Sequence, residues 1–485
     1  MVRRTQRAAL LTLAMINVVT LAAGVAVARM LPAKLAALRV PTVAVGPIEN
    51  PGAVLKTGTG PLPTTTGLNA ALAGPLSTAA LGPKVSALVA DPATGQVLLD
   101  ENGARLMTPA STTKLATGLA ALAVLGPGAR FTTKVVRGPT PGSIILVGGG
   151  DPTLAVNSFP KNSYPRPATL ASLAAATAKA LKTQGHRTIT LNYDTDLYSG
   201  PQLAPGWPAD YVSGGDVTPI VSLEVDQGRL TAAGQPEDSD DPYNLRPRST
   251  DPALMAATAF AGLLTADGIH VTAAPQEQPA AQTTTIASVT SPPLSDTVAQ
   301  MLEESNNVIA ENLARHVALA TGEPASFPGA AQAVTRELEK LGVTTGIRLV
   351  DGSGLSPRDA IAPVTLVKVL DLAAGRPPYR ALLAGLPVAG FSGTLSAGES
   401  VFAGIGGAAL GSVRAKTGNL GTVASLAGLA YDKSGAVLVF ALMADQVPSA
   451  GSLDEAADAI DAAAAALAAC GCRLRALSAA RTVGG

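Results

Sequence analysis

The sequence has few of the side chains that metal and redox sites are made from. Of its 485 residues only 2 are Cys and 3 are His (His186, His270 and His316). That is too few for a disulfide framework or a typical zinc site, which draws its ligands from Cys, His and carboxylate. Metal-centred chemistry is disfavoured on this ground and no cofactor is expected. Aromatic residues make up 3% and charged residues 14%, so any core is built from Ala, Val and Leu. Neither sign of charge is in excess: Lys+Arg 35 balances Asp+Glu 35. This excludes nucleic-acid binding by bulk positive charge, and it excludes a disordered acidic chain. Apolar residues are abundant at 47%, enough for sizeable cores in the roughly three domains expected at this length.

One long apolar run exists, from Ala8 to Ala28, preceded by Arg3, Arg4 and Arg7. A basic patch ahead of such a run is an export signal or a membrane anchor, and about 20 apolar residues suffice to span a bilayer. Ala26-Val27-Ala28 reads as a cleavage site, while Asn17 interrupts the span, so both a cleaved signal and an anchor remain open. From Pro41 to Thr66 the chain is rich in Pro, Gly and Thr without periodicity, which reads as a linker.

Beyond it, Val85–Ala90 and Gln96–Asp100 read as a strand pair turned at Asp91-Pro92-Ala93-Thr94-Gly95. Ser111–Leu125 is a helix, with Leu115, Leu119 and Leu122 on one face. A strand at Ser143–Val147, a helix at Pro167–Thr183, a strand at Thr188–Tyr193 and a helix at Ala253–Ala266 follow, and the spacing predicts helix again over Ser295–Ala320. Ala424–Tyr431 and Ala436–Ala444, joined by Asp432-Lys433-Ser434-Gly435, form a hairpin. Ser452-Leu453-Asp454-Glu455 reads as a capping box opening an Ala-rich helix to about Ala469. Cys470-Gly471-Cys472 is a local bridge or a pair of thiols rather than a redox site.

Three short motifs carry chemistry. Ser111-Thr112-Thr113-Lys114 puts a hydroxyl and an amine on one helix face at the helix N-terminus, where a neutral Lys can act as the base for the Ser. Ser305-Asn306-Asn307 can project a hydroxyl and an amide toward one pocket from a turn. In Lys416-Thr417-Gly418, strand alternation directs Lys416 and Gly418 to one side. Decoys of two motifs exist. Ser158-Phe159-Pro160-Lys161 contains a Pro and is followed by Pro165 and Pro167, and Lys56-Thr57-Gly58 lies in the linker.

Taken in order, Ser-x-x-Lys, Ser-x-Asn and Lys-Thr-Gly resemble the signature of penicillin-binding proteins and serine β-lactamases. The wide separation of Ser111 from Ser305 resembles the low-molecular-mass penicillin-binding proteins of the D-alanyl-D-alanine carboxypeptidase/endopeptidase type that carry a large insertion. Gly149-Gly150-Asp151-Pro152-Thr153-Leu154, Gly206-Trp207-Pro208 and Asp351-Gly352-Ser353-Gly354-Leu355-Ser356 resemble further segments of that type. The resemblance implies an α/β (α+β) fold. Its β-lactamase/transpeptidase-like domain has an antiparallel sheet flanked by helices, with a large α/β insertion between the first and second motifs. The expected organisation is a signal or anchor at 1–29, a linker at 30–66, the first part of the transpeptidase-like domain at 67–131, inserted domains at 132–285, its second part at 286–472 and a tail at 473–485.

The same resemblance implies the mechanism. Ser111 attacks the amide between two D-alanines of a peptidoglycan stem peptide, and Lys114 takes its proton with a pKa lowered by burial or by Lys416. Ser305 relays a proton to the leaving amine. Asn307 binds the substrate amide, and Lys416, Thr417 and Gly418 form the strand that binds the terminal carboxylate. The N–H groups of Ser111 and Asn419 form the oxyanion hole. Asp151 and Arg358 would read the charged end of a diamino acid, although Pro357 here separates Arg358 from the serine that it directly follows in relatives. The expected partners are peptidoglycan stem peptides and, as covalent inhibitors, β-lactams. Membrane contact is expected only through the N-terminal segment, with location in the cell envelope.

Rival readings are weaker. A class A β-lactamase needs a Glu that activates the deacylating water, and no E-x-x-x-N pattern lies between the first two motifs. A Ser-His-Asp hydrolase lacks a G-x-S-x-G elbow, and Gly404-Ile405-Gly406-Gly407-Ala408-Ala409 has no clear strand before it to make a dinucleotide site. An inactive envelope-binding protein on the same fold would not need to keep Ser111 and Lys114 together.

Overall fold

The computed structural model describes Gly58, Gly60 and residues 61–472, apart from 158–163, 231–245, 282–283, 345, 399, 401, 403–406, 408 and 450–451. The expected signal or anchor, the Ser158-to-Lys161 decoy and the tail at 473–485 lie outside the described residues, as do Lys56 and Thr57 and most of the Gly404-to-Ala409 stretch. Among the described residues no helix is long and apolar enough to cross a membrane.

In chain order, helix α1 (Thr65–Leu76) precedes strands β1 (Val85–Ala90) and β2 (Val97–Glu101), then a 3-10 turn (Ala110–Thr112) runs into α2 (Thr113–Leu125). Next come β3 (Thr132–Arg137), β4 (Ser143–Val147), α3 (Leu170–Thr183), β5 (Thr188–Asp194), α4 (Pro252–Ala266), β6 (His270–Val271), β7 (Gln276–Glu277) and β8 (Thr285–Thr290). Helices α5 (Leu294–Glu303), α6 (Asn307–Thr321) and α7 (Phe327–Lys340) follow, then the short pair β9 (Ile347–Arg348) and β10 (Ala360–Ile361), and α8 (Pro363–Gly375). The chain closes with β11 (Val413–Leu420), β12 (Val423–Tyr431), β13 (Val437–Asp445) and α9 (Leu453–Ala469).

These strands make two main sheets. The first is antiparallel throughout, in the order β11-β12-β13-β1-β2, so that the last strands of the chain pair with the first. Side chains alternate across it. Val437, Val439, Ala441 and Met443 of β13 face a core shared with α2, α5, α6, α7 and α8. Leu438, Phe440, Leu442 and Ala444 face a second core shared with α1 and α9. Burial on both faces explains why this hairpin reads as continuous apolar runs rather than as an alternating pattern. The second sheet, in the order β6-β5-β4-β3-β8, is mixed, with β4 and β5 parallel. Its own core joins Val135, Ile144, Leu146 and Leu191 to Leu173 of α3 and Phe260 of α4.

Three sequence expectations need correction. The helix predicted over Ser295–Ala320 is two helices, broken at Glu304-Ser305-Asn306, where Ser305 takes φ 55° and Asn306 caps α6 by accepting from Ile309 N at 3.1 Å. Ser452 does not cap α9. Its backbone (φ −99°, ψ 4°) is not extended as the capping position requires, and its hydroxyl pairs with that of Ser449 at 3.0 Å. The end of the expected linker is also folded. Gly60 N donates to Gly435 O, Thr64 N donates to Cys472 O, and Leu68 and Leu72 of α1 are fully buried. Cys470 and Cys472 are joined as a disulfide, so this anchoring carbonyl belongs to a bridged turn.

A cut after residue 66 therefore removes the Thr64 cap of α1, whose hydroxyl accepts from Gly67 N at 3.1 Å. Deleting residues 1–57 is expected to leave stability unchanged. Deleting 1–66 is expected to cost about 1 kcal/mol for the cap alone, read as a lower thermal unfolding midpoint.

Candidate active site

The three sequence motifs meet at the β11 edge of the first sheet. Ser111 is carried by the 3-10 turn that leads into α2, and the residue before it, Ala110, holds φ 48°. With Ser305 at φ 55°, both serines are thus set by backbone in the left-handed region that residues with a Cβ rarely occupy. Lys114, the second residue of α2 and one turn after Ser111, is fully buried, and its Nζ lies 2.8 Å from Ser111 Oγ, 2.6 Å from Asn307 Oδ1 and 2.8 Å from Ser353 O. Two of these partners, an amide oxygen and a backbone carbonyl, can only accept. A neutral amine that donates its two hydrogens to them has its lone pair left for the Ser111 hydroxyl.

Burial lowers the Lys114 pKa to about 7, against the opposing pull of Asp351 and Glu311. Of the two causes expected for this shift, burial or Lys416, burial is the one that acts on Lys114. Lys416 is itself driven well below its usual value, first by burial and then by the charge of Lys114. It lies on β11, fully buried, with Nζ 2.8 Å from Ser305 Oγ and 2.8 Å from Thr417 O.

β11 is the edge strand of this sheet, and on its outer side only its first half is bridged, Arg414 to Val388. Ala415 N donates away from the sheet, to Pro387 O at 3.0 Å. The direction repeats at every second residue, so the N–H groups of Thr417 and Asn419 also leave the sheet. Both residues line a cavity of about 270 Å³ together with Ser111, Ser305, Asp216 and Thr394. Gly418 lets this edge close on the nucleophile: a Cβ there would stand 2.7 Å from Pro109 O and 3.1 Å from Ser111 N. Ser425 Oγ, on β12, ties the two together by donating to Pro109 O at 2.8 Å.

Residues 68–243 and 229–467 match the D-Ala-D-Ala carboxypeptidase 3 (S13) family. The chain belongs to that family. It is 41% identical to the carboxypeptidase DacB of Mycolicibacterium smegmatis, over 87% of this chain and 88% of the relative. It is 38% identical to a carboxypeptidase of Mycobacterium tuberculosis, over 88% and 89%. The crystal structure of penicillin binding protein 4 (dacB) from Haemophilus influenzae shares the fold, with a TM-score of 0.63 at 24% identity over 79% of this chain and 93% of that one. The α+β architecture expected from the sequence is thereby shown, with the qualification that the second sheet is mixed.

Within this S13 site, Asn307 has both ends of its amide engaged, Oδ1 by Lys114 and Nδ2 by donation to Asp216 O at 2.9 Å. One hydrogen of Nδ2 is left for a substrate carbonyl. The structure does not bring Asp151 to the cavity. It is 3% exposed, and its Oδ1 accepts from Thr153 N and Thr153 Oγ1. Burial raises its pKa to about 6. Its Oδ1 shapes its own turn, and its buried Oδ2 has no hydrogen-bond partner among the described residues. Arg358 is exposed and runs beside Gly206, outside the cavity lining.

Two carboxylates that matter were not singled out from the sequence. Glu311, on α6, accepts from Gly352 N and Ser353 N, and Asp351 accepts from Gly354 N, Ser356 N and Trp207 Nε1. Between them they wrap the Asp351-to-Ser356 loop so that the Ser353 carbonyl reaches Lys114. The loop was visible as a family motif, but its role lies in a backbone carbonyl that no side-chain pattern reveals. Gly354 holds φ 86° there, and a Cβ on it would collide with Ala110 O at 1.9 Å.

Proposed function

We propose that this chain is a serine D,D-peptidase that hydrolyses the D-Ala–D-Ala amide of peptidoglycan stem peptides through an acyl-enzyme on Ser111. The observation that carries this reading is the set of three Lys114 contacts, with two acceptor-only partners and a pKa near neutrality. Ser111 Oγ forms a bond to the carbonyl carbon as its proton passes to Lys114. The N–H groups of Ser111 and Asn419 take the developing oxyanion. Ser305, bonded to Lys416, delivers a proton to the leaving amine, and the C–N bond breaks. Thr417 and Lys416 hold the terminal carboxylate, and Asn307 orients the substrate amide. Water then hydrolyses the ester. β-Lactams acylate the same serine. Export by the basic-flanked apolar N-terminus, as signal or anchor, would bring the chain to the envelope where peptidoglycan lies.

Incubation with purified pentapeptide-bearing muropeptides is expected to release D-Ala, read by mass spectrometry. Intact muropeptides after prolonged incubation would overturn the reading. The pH dependence follows from Lys114, whose neutral form is the base. Acylation by penicillin should rise as pH increases through about 7 and level off above it. A rate independent of pH between 5.5 and 8.5 (roughly 1.5 units either side) would remove Lys114 as the base.

A further inference from the structure

Helix α9 packs over β11 and β12, and Ala457, Ile460 and Asp461, which share one face of it, help line the cavity that holds Ser111. Asp461 is out of place there. Its neighbours along the buried side are Ala464, Ala465 and Ile460, and it is itself 7% exposed. No protein group among the described residues hydrogen-bonds its carboxyl. A carboxyl on a cavity wall with no protein partner is open to water or to a group of a bound ligand. What it shares the cavity wall with is Thr417 and Asn419.

We propose that Asp461 is a specificity-determining residue whose carboxyl donates a hydrogen bond to the carboxylate of the departing D-amino acid held at Thr417. The assignment rests on the D,D-peptidase reading and names a contact beyond it. An acid can donate to a carboxylate only while it carries its proton. Burial, and then the charge of Asp458 one turn earlier, push the Asp461 pKa up to about 8, so at neutral pH it is the neutral acid. The other charged or titratable groups around it do not change that sign. Helix α1 and the turn at Ala79–Leu81 contribute none, β11 brings Arg414 and Lys416, β12 Tyr431 and β13 Asp445, and the cavity adds Asp216 and Glu304. Above about pH 8 the ionised carboxylate repels the substrate's own. Preference for a carboxylate-terminated leaving group is therefore present at low pH and lost as pH rises through the Asp461 pKa.

The test compares two peptides with the full chain, one ending in D-Ala-D-Ala and one in its C-terminal amide, with kcat/KM read by mass spectrometry from pH 6 to pH 9.5 (about two units either side of the Asp461 pKa). The titration of Lys114 cancels in the ratio of the two. The ratio should fall about tenfold across this range in the wild type and stay level in Asp461→Asn, which keeps a donor and cannot ionise. A level ratio in the wild type overturns the proposal without any variant. So does a fall that persists in Asp461→Asn, which would assign it to Lys416. The wild-type protein is also checked for a covalent penicillin adduct. Its absence would overturn the D,D-peptidase reading and this assignment with it, whereas an adduct with either failing ratio removes the Asp461 contact alone.

Discussion

Ser111→Ala is expected to abolish the covalent penicillin adduct and to reduce peptide hydrolysis by about a millionfold, the loss seen when a serine nucleophile is removed. The substitution takes away one oxygen and leaves the backbone turn, since the φ of 48° belongs to Ala110 and not to Ser111. The hydroxyl makes no bond that holds the turn together: its partner is Lys114 Nζ, which keeps Asn307 and Ser353. The variant should therefore fold as the wild type does, by circular dichroism, and fail only in chemistry. Ser158→Ala, at the Pro-containing decoy, should label fully. A penicillin adduct on the Ser111→Ala protein would mean that the nucleophile is elsewhere.

Lys114→Arg should be nearly as damaging as Lys114→Ala. If the residue served as a fixed positive charge, Arg would preserve it and acylation would survive. A base must instead release its proton near pH 7, which the buried Lys114 does and which a guanidinium does not. Arg also has no lone pair to offer Ser111. The second-order rate of penicillin acylation distinguishes the two roles. A folded Lys114→Arg protein within about tenfold of wild type, near 1.4 kcal/mol in barrier, would remove the general-base assignment. Severe and similar losses in both variants would leave it standing.

Much of this site can be read from the chain because its parts are local. Ser111 and Lys114 need only one turn of helix between them, and Lys416 to Gly418 need only a strand. What the sequence hides is what depends on closure. The helical period runs from Ser295 across Ser305 without a gap in apolar spacing, yet the two helices separate there because Asn306 caps the second. Helix α1 is disguised by Thr, Gly and Pro75 although Leu68 and Leu72 lie one turn apart and bury completely. The depression of Lys114 could not be assigned to burial until Glu311 and Asp351 were seen folding a loop over it. Asp151 belongs to a recognisable segment, but only the structure shows that it is enclosed, with one oxygen bound by its own turn.

The pairing of β1 with β13, from Val85 opposite Ala444 to Ala90 opposite Val439, bears on the order in which the protein comes into being. The sheet of residues 132–290 has its own core and can consolidate early as the chain is made. The sheet that carries Lys416 cannot, because its second and third strands are the last to be made and must close a loop spanning most of the protein. Lys416 reaches Ser305 only from an edge that β13 fixes to β1. A chain terminated just before Val437 would encode Ser111, Lys114, Ser305 and Lys416 and lack the strand that holds Lys416 against Ser305.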